Sequence, residues 1–371
     1  MRSLRMTVIQ ALLIAEMQIL SSCHTDEPCI DCPVNDGLIT SERELADGLE
    51  PAVSPDGTKI AYTNSGDVFV MDTSGANITQ LTSGPEIDVL PRWHPSGQSV
   101  GFMRLVQQTD DTGKLFRVPL AGGASMETPT THQPSNALKR QSEIYSGVTV
   151  PLWDFSPDGK YIAFLCKYST KTYLSSVSAA DGKELFFRAI SDDAGQSVGN
   201  LSGFVWSLNS DEICFISQDS SGHGSVSLHN ILSHIEVIDS TLNGPTQLTR
   251  SSLNNKFACV ATDSQSGQGV INVISFGLSH TTYGILGGGG LKWSPDERYF
   301  VFDWQQTVGG PFGYRYSQLY VISVEKNKEF SLTSRGDINR INLHFEWGKS
   351  PNTVFFERFG RICEVSFRSP Q

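Results

Sequence analysis

A short motif recurs along most of the chain and limits the fold more than any other feature. It is clearest as Ser54-Pro55-Asp56-Gly57, Ser156-Pro157-Asp158-Gly159 and Ser294-Pro295-Asp296, each flanked by alternating apolar residues. Proline presets φ for the first central position of a turn, aspartate follows comfortably, and glycine accepts the positive φ that closes it. The motif is therefore a tight connection between two half-buried strands. Weaker copies begin at His94 and Ser207, and two worn copies lie near Ser252 and Ser350. With the serine or its equivalent as marker, the seven copies stand 40, 62, 51, 45, 42 and 56 residues apart.

After most copies comes a second apolar strand, such as 67–72 or 318–323, and then a third strand ending in Leu-Thr, as at Leu81-Thr82, Leu248-Thr249 and Leu332-Thr333. Each unit thus reads as four short antiparallel strands with two apolar faces, which is not stable alone and calls for stacking around an axis. The expectation is an all-β chain forming a single β-propeller of four-stranded antiparallel blades. Seven blades fit the markers, and six fit if the copy near Ser252 has another role. After the strand 361–367 the last copy lacks residues for a fourth strand, while Gly37-Leu38-Ile39-Thr40 looks like an orphan strand end. Residues around 37–45 are expected to supply the missing strand and close the ring, removing an exposed sheet edge. A length of 371 residues, beyond the reach of one ordinary core, agrees with a ring of small sheets.

The repeated unit, seen best from Trp153 to Phe164 and from Pro51 to Tyr62, resembles the TolB-like branch of the WD-repeat-like propellers. The resemblance covers about residues 37–368 and implies the fold, but no particular activity. TolB carries an α/β domain before its propeller, for which the stretch between Cys23 and residue 37 is too short, so no TolB role is carried over. Prolyl-oligopeptidase-type enzymes also use such propellers, beside a hydrolase domain that this chain has no residues to build.

Three segments divide the chain. Residues 1–22 read as a signal peptide, with Arg2 and Arg5 before an apolar stretch from Met6 to Leu20. Leu20-Ser21-Ser22-Cys23 resembles the bacterial lipobox, which implies lipidation at Cys23. Residues 23–36 are then a tether and 37–371 the propeller. The expected place is the bacterial cell envelope, lipid-anchored, with simple secretion as the alternative. Cys29 and Cys32 form a lone CxxC in that tether, without the second pair that a zinc site needs. Cys166, Cys214, Cys259 and Cys363 sit among alternating apolar residues and read as buried strand thiols.

The functional signals are weaker. A formal net charge of −11 without a basic cluster argues against nucleic acid and against anionic lipid, leaving the anchor as the route to a membrane. Insertions gather in the b–c and d–a connections (strands lettered a to d through each unit): 107–114, 124–149, 218–230, 284–290 and 305–318. Long connections on one side of a rigid scaffold usually carry binding. Within 305–318, Phe312, Tyr314, Arg315 and Tyr316 make an aromatic and cationic group suited to an interface. Two GxSxG matches, at 97–101 and 195–199, lack the strand–turn–helix context of a nucleophile elbow. Gly287–Gly290 is no phosphate loop, because no Lys-Ser/Thr follows. The histidines include no HExxH, and His223, His229 and His280 fall near the long-loop side, where a metal at the axis is conceivable. The favoured reading is a monomeric, non-enzymatic propeller that binds a protein or glycan through its long-loop face, with no cofactor and no metal. The alternative is a metal-dependent propeller lyase or lactonase with its site at the axial mouth.

Overall fold

The structure, a computed structural model, describes residues 38–105, 112–135, 152–168, 171–192, 203–218, 224–240, 242–265, 269–275, 281–284, 290–308, 314–333 and 342–369. Seven four-stranded antiparallel sheets account for its strands, and they form a seven-bladed β-propeller. In blades 1 to 6 the strand order in space is the order in the chain. Blade 7 takes three strands from the end of the chain, and its fourth is the N-terminal strand Ile39–Asp47. That strand runs antiparallel to Arg361–Phe367, with Arg43 opposite Glu364. An ion pair of 2.5 Å joins these two side chains. The ring closes as the sequence implied, and the six-blade alternative falls.

The a strands are Leu49–Val53, Ile87–Trp93, Trp153–Phe155, Phe204–Trp206, Thr246–Arg250, Leu291–Trp293 and Asn342–Trp347. Contacts join successive a strands from blade 7 through blades 1 to 6, so they line the axis.

Each turn motif is knotted by its own polar atoms. In blade 1 the Ser54 hydroxyl donates to Asp56 at 2.7 Å and accepts from the Lys59 amide at 2.9 Å. Ser156 with Asp158, and Ser294 with Asp296, repeat the pattern. Gly57, Gly97 and Gly159 close their turns at φ +71°, +71° and +73°. Blade 6 has Glu297 there at +60°, a conformation that disfavours a side chain. The backbone bond across the turn places the markers of the worn copies. Ser251 N–H donates to Lys256 and Gly348 N–H to Thr353, as Ser54 N–H does to Lys59. The true equivalents are therefore Ser251 and Gly348, not Ser252 and Ser350.

Indole N–H groups stitch blade to blade. Trp93 donates to the Ala52 carbonyl at 2.9 Å, Trp153 to Leu90 at 3.1 Å, Trp206 to Asp154 at 3.2 Å, and Trp347 to Lys292 at 3.2 Å. Every one of these acceptors lies in the a strand of the preceding blade. In blade 2 the b-strand residue facing the next blade's rings must be small. Gly101 shows why: a Cβ there would stand 2.5 Å from Trp153 and 2.8 Å from Phe155. Ala61, Ala163 and Ala258 hold the same register position in blades 1, 3 and 5, all fully buried. The four cysteines of the blades are buried, as expected.

Candidate binding site: the axis and the long-loop face

Counting back from the turn marker, the second residue of each a strand is Ala52, Arg92, Asp154, Val205, Thr249, Lys292 or Glu346. In blades 3, 4 and 6 this residue is the partly exposed one between two buried neighbours, so its side chain points away from the sheet packing. Electrostatics fix the direction. Asp154 in blade 3 feels the charges of Arg92, Arg250 and Glu346, from blades 2, 5 and 7. Side chains on such separated blades meet only at the axis. Four of the seven positions are ionisable, and Arg250 joins them from one residue nearer the turn. These positions lie close to the a–b turns, so the charges gather at the short-turn end of the channel.

The charges are unevenly satisfied. Lys292 Nζ and Glu346 Oε1 form an ion pair across blades 6 and 7. Asp154 accepts the Phe155 amide at 2.8 Å. Burial pushes its carboxyl pKa up, Arg92 and Arg250 pull it down, and Glu346 adds to the rise. Arg92 donates to the Pro91 carbonyl at 3.0 Å and has no carboxylate partner among the described residues. Arg250 departs from the repeat, as Val53 of blade 1 does, but with a charge. Where blades 2, 3, 4, 6 and 7 carry Trp93, Phe155, Trp206, Trp293 and Trp347, blade 5 carries a guanidinium. Its Nη1 is buried and has no hydrogen-bond partner among the described residues. Leaving such a donor unmet costs about 1–3 kcal/mol. Burial lowers the Arg250 pKa, opposed by Asp154. The stitch is also missing next door, where Trp293 donates to the Glu297 carbonyl of its own turn at 3.3 Å.

Toward the other end of the channel the a strands carry a recurrent irregularity. Glu50, Leu90, Gln247 and His344, each four residues before its marker, adopt φ of +58°, +54°, +57° and +47°. Each lies within a register shift of the a–b pairing, a β-bulge built into the repeat. At blades 7, 1 and 2 these bulges hold a buried polar network. The Glu50 carboxylate accepts the Leu90 amide at 2.5 Å and the Thr63 hydroxyl at 3.2 Å. Glu357 accepts the Glu50 amide at 3.0 Å, and His344 Nδ1 lies 3.1 Å from the same oxygen. These groups satisfy one another across blade boundaries and tie the closing blade to its neighbours.

The long-loop face differs from the expectation in detail. Much of 218–230 is strand, and only 219–223 separates Glu212–Gln218 from Gly224–Asn230. The described parts of 305–318 are likewise strand. Tyr314, Arg315 and Tyr316 belong to the strand Tyr314–Ser323 and pair with Val308, Thr307 and Gln306 of Tyr299–Val308. Phe312 lies outside the described residues, as do Cys23, His223 and His280. Blade 6 therefore carries a hairpin of ten paired residues, where other b strands have six to eight. At ~3.3 Å per residue, the extra length carries the paired strands roughly 10 Å beyond the ends of shorter b strands. His229 is neither axial nor loop-borne. It sits on the c strand of blade 4, buried against Phe186 with ring centroids 4.4 Å apart, and burial lowers its pKa. Among the described residues no group of three or more His, Cys, Asp or Glu side chains is placed to hold a metal ion. The first GxSxG match is part of the a–b hairpin of blade 2, and the second lies outside the described residues.

The axial charges were legible only after the repeats were stacked. Arg92, Asp154, Lys292 and Glu346 are charged residues of the a strands that share one fixed distance from the turn.

No family model matches the chain. A curated relative, the uncharacterized peptidase YuxL of Bacillus subtilis (strain 168), is 26% identical over 137 residues, 34% of this chain. The match spans 18% of that relative's length. Among solved structures, an oligogalacturonate lyase in complex with manganese superposes with a TM-score of 0.63 at 12% identity, covering 91% of this chain and 96% of the other. The β-propeller domain of Cps50 (Swd1) from Myceliophteria thermophila gives 0.59 at 11%, covering 89% and 99%. TolB from Acinetobacter baumannii gives 0.46 at 13%, covering 79% and 66%. At these identities the likeness is one of fold. The chain is a β-propeller with solved counterparts of its full ring.

Proposed function

We propose that this protein is a TolB-like propeller, lipid-anchored to the cell envelope through Cys23, that binds a protein or glycan partner without catalysing a reaction. Its docking surface is the face bearing the b–c and d–a connections. The observation that supports this reading is the long blade 6 hairpin, in which Tyr314, Arg315 and Tyr316 pair with Val308, Thr307 and Gln306 beyond the length of the other b strands. Aromatic and arginine side chains on such a projection are the residue types that anchor interfaces. The anchor rests on Arg2, Arg5, the apolar stretch after them and the lipobox-like Leu20-Ser21-Ser22-Cys23. The test is a photo-crosslinking residue placed at Arg315 and, on the opposite face, at Lys160. A discrete adduct from position 315 alone supports the reading. Adducts of the same pattern from both positions, or from neither, defeat it. Labelled palmitate must also enter the wild-type protein and fail to enter Cys23→Ala.

A second reading, a metal-dependent lyase or lactonase at the axial mouth, draws on the cations Arg92, Arg250 and Lys292, which suit an acidic sugar. The described residues do not supply a ligand set for a metal such as the manganese of the lyase structure. Incubating the full chain with manganese and oligogalacturonate, and watching for unsaturated uronate, decides between the two.

A further inference from the structure

We infer that the short-turn end of the axial channel is a binding site for a carboxylate, taken between Arg92 of blade 2 and Arg250 of blade 5. Three independent observations meet there. Arg250 stands where five other blades place an aromatic ring, so a charge has replaced a packing residue at one point of the repeat. Its buried Nη1 has no acceptor among the described residues, although Asp154 lies within electrostatic reach. Arg92, also within reach of Asp154, spends one N–H on the neighbouring Pro91 carbonyl and makes no ion pair among the described residues. Lys292 and Glu346 neutralise one another, so what remains at the axis among the described residues is two guanidinium groups against one carboxylate.

A buried cation without a direct counter-ion is unfavourable, and an incoming anion relieves it. Arginine holds carboxylates through paired N–H donors, and two arginines on different blades fix both oxygens of one group. Asp154 then has a role as acceptor: it suits a ligand that brings hydroxyl or ammonium donors beside its carboxylate. Val205 and Thr249 at the matching positions of blades 4 and 5 are short and leave the guanidinium as the dominant group on that arc. The ligand class is therefore a carboxylate with adjacent hydrogen-bond donors, either a free small acid or the carboxyl end of a chain. This site is at the opposite end of the channel from the blade 6 hairpin and does not depend on that hairpin's role.

The experiment is calorimetric titration of the full chain with glucuronate, with a short peptide bearing a free C-terminus, and with the same peptide amidated. Binding of glucuronate but not the peptides assigns a small acid. Binding of the free peptide, lost on amidation, assigns a chain terminus, and both outcomes support the site. Arg92→Gln and Arg250→Gln are each expected to weaken binding by about tenfold or more, the scale of a charge-assisted pair. Arg250→Trp restores the repeat's own residue, so it is expected to keep the fold and still lose the ligand. The proposal is overturned if none of the carboxylates binds, if the amidated peptide binds as well as the free one, or if a folded Arg250→Trp binds like wild type.

Discussion

Replacing Gly101 by alanine adds one methyl group to the second strand of blade 2 and tests how tightly the blades are packed. The new Cβ would meet Trp153 at 2.5 Å and Phe155 at 2.8 and 2.9 Å, well inside ordinary carbon contact. Neither ring retreats easily. Trp153 is 1% exposed and held by its N–H bond to the Leu90 carbonyl at 3.1 Å, and its ring meets Phe155 edge-on at 5.3 Å. Overpacking a core in this way costs about 1–3 kcal/mol, and the rigid, pinned neighbours put this site at the upper end. Alanine gains back about 0.4–1 kcal/mol by narrowing the unfolded ensemble. The net expectation is a loss of about 2 kcal/mol, read as a lower urea midpoint with an unchanged slope. A double-mutant cycle with Trp153→Phe locates the clash, because removing the outer ring carbons makes room for the methyl. The two losses must then sum to more than the double mutant shows. If Gly101→Ala proves neutral or stabilising, the packing of blade 3 on blade 2 described here is wrong.

Other consequences are more quickly checked. Hydrogen bonds from Ser54 and Thr58 hold the Asp56 carboxyl at about 2, from an ordinary 3.8. Asp158 is also held at about 2: burial opposes the shift, and bonds from Ser156 and Lys160 outweigh it. Both folded values are depressed, so their stabilisation is present above the ordinary value and fades as pH falls from about 4 toward 2. Melting curves across that window should flatten in Asp56→Asn/Asp158→Asn, and an unchanged acid slope refutes the turn geometry. Burial raises the thiol pKa of Cys166 and Cys259 to about 12 and that of Cys214 well above its usual range. Iodoacetamide at pH 8 should leave these three, and buried Cys363, unmodified until denaturant is added; native labelling read by mass spectrometry would contradict their placement. Trp206→Phe leaves the Asp154 carbonyl without its 3.2 Å indole donor and opens space between blades 3 and 4, and should lower the urea midpoint. Trp293→Phe loses a bond made only within its own turn, so it should cost less, and the reverse order would dismiss the stitching role of the indoles.

Much of this was legible because the repeat is written in residues with narrow conformational uses. Pro and Gly in Ser-Pro-Asp-Gly fix the turn, and the alanine of the following Ile-Ala-Phe run is small because the next blade's aromatic ring fills its space. Closure by residues near 39 followed from counting strands. The worn copies misled by one or two residues, since Ser350-Pro351 imitates the motif while Trp347 sets the register. Length in a connection was mistaken for loop in blade 6, where Gln305, Gln306 and Tyr314 to Tyr316 continue a hairpin; alternation there is too weak to announce strand. The axial group was hidden for a different reason. Arg92, Asp154, Arg250, Lys292 and Glu346 are scattered over 255 residues, and only stacking the a strands brings them to one axis.

The seven blades form one ring, closed by pairing the N-terminal strand with the C-terminal one. Arg43 and Glu364 stand opposite in that pairing with their side chains in contact at 2.5 Å. Cysteines at these two positions, in a chain whose Cys23, Cys29 and Cys32 are changed to serine, test it directly. The expected result is an intramolecular disulfide on mild oxidation and a higher urea midpoint for the oxidised than for the reduced protein. Failure to form the bond within a folded monomer, or its formation only between molecules, would mean that the ring is not closed by residues 39–47.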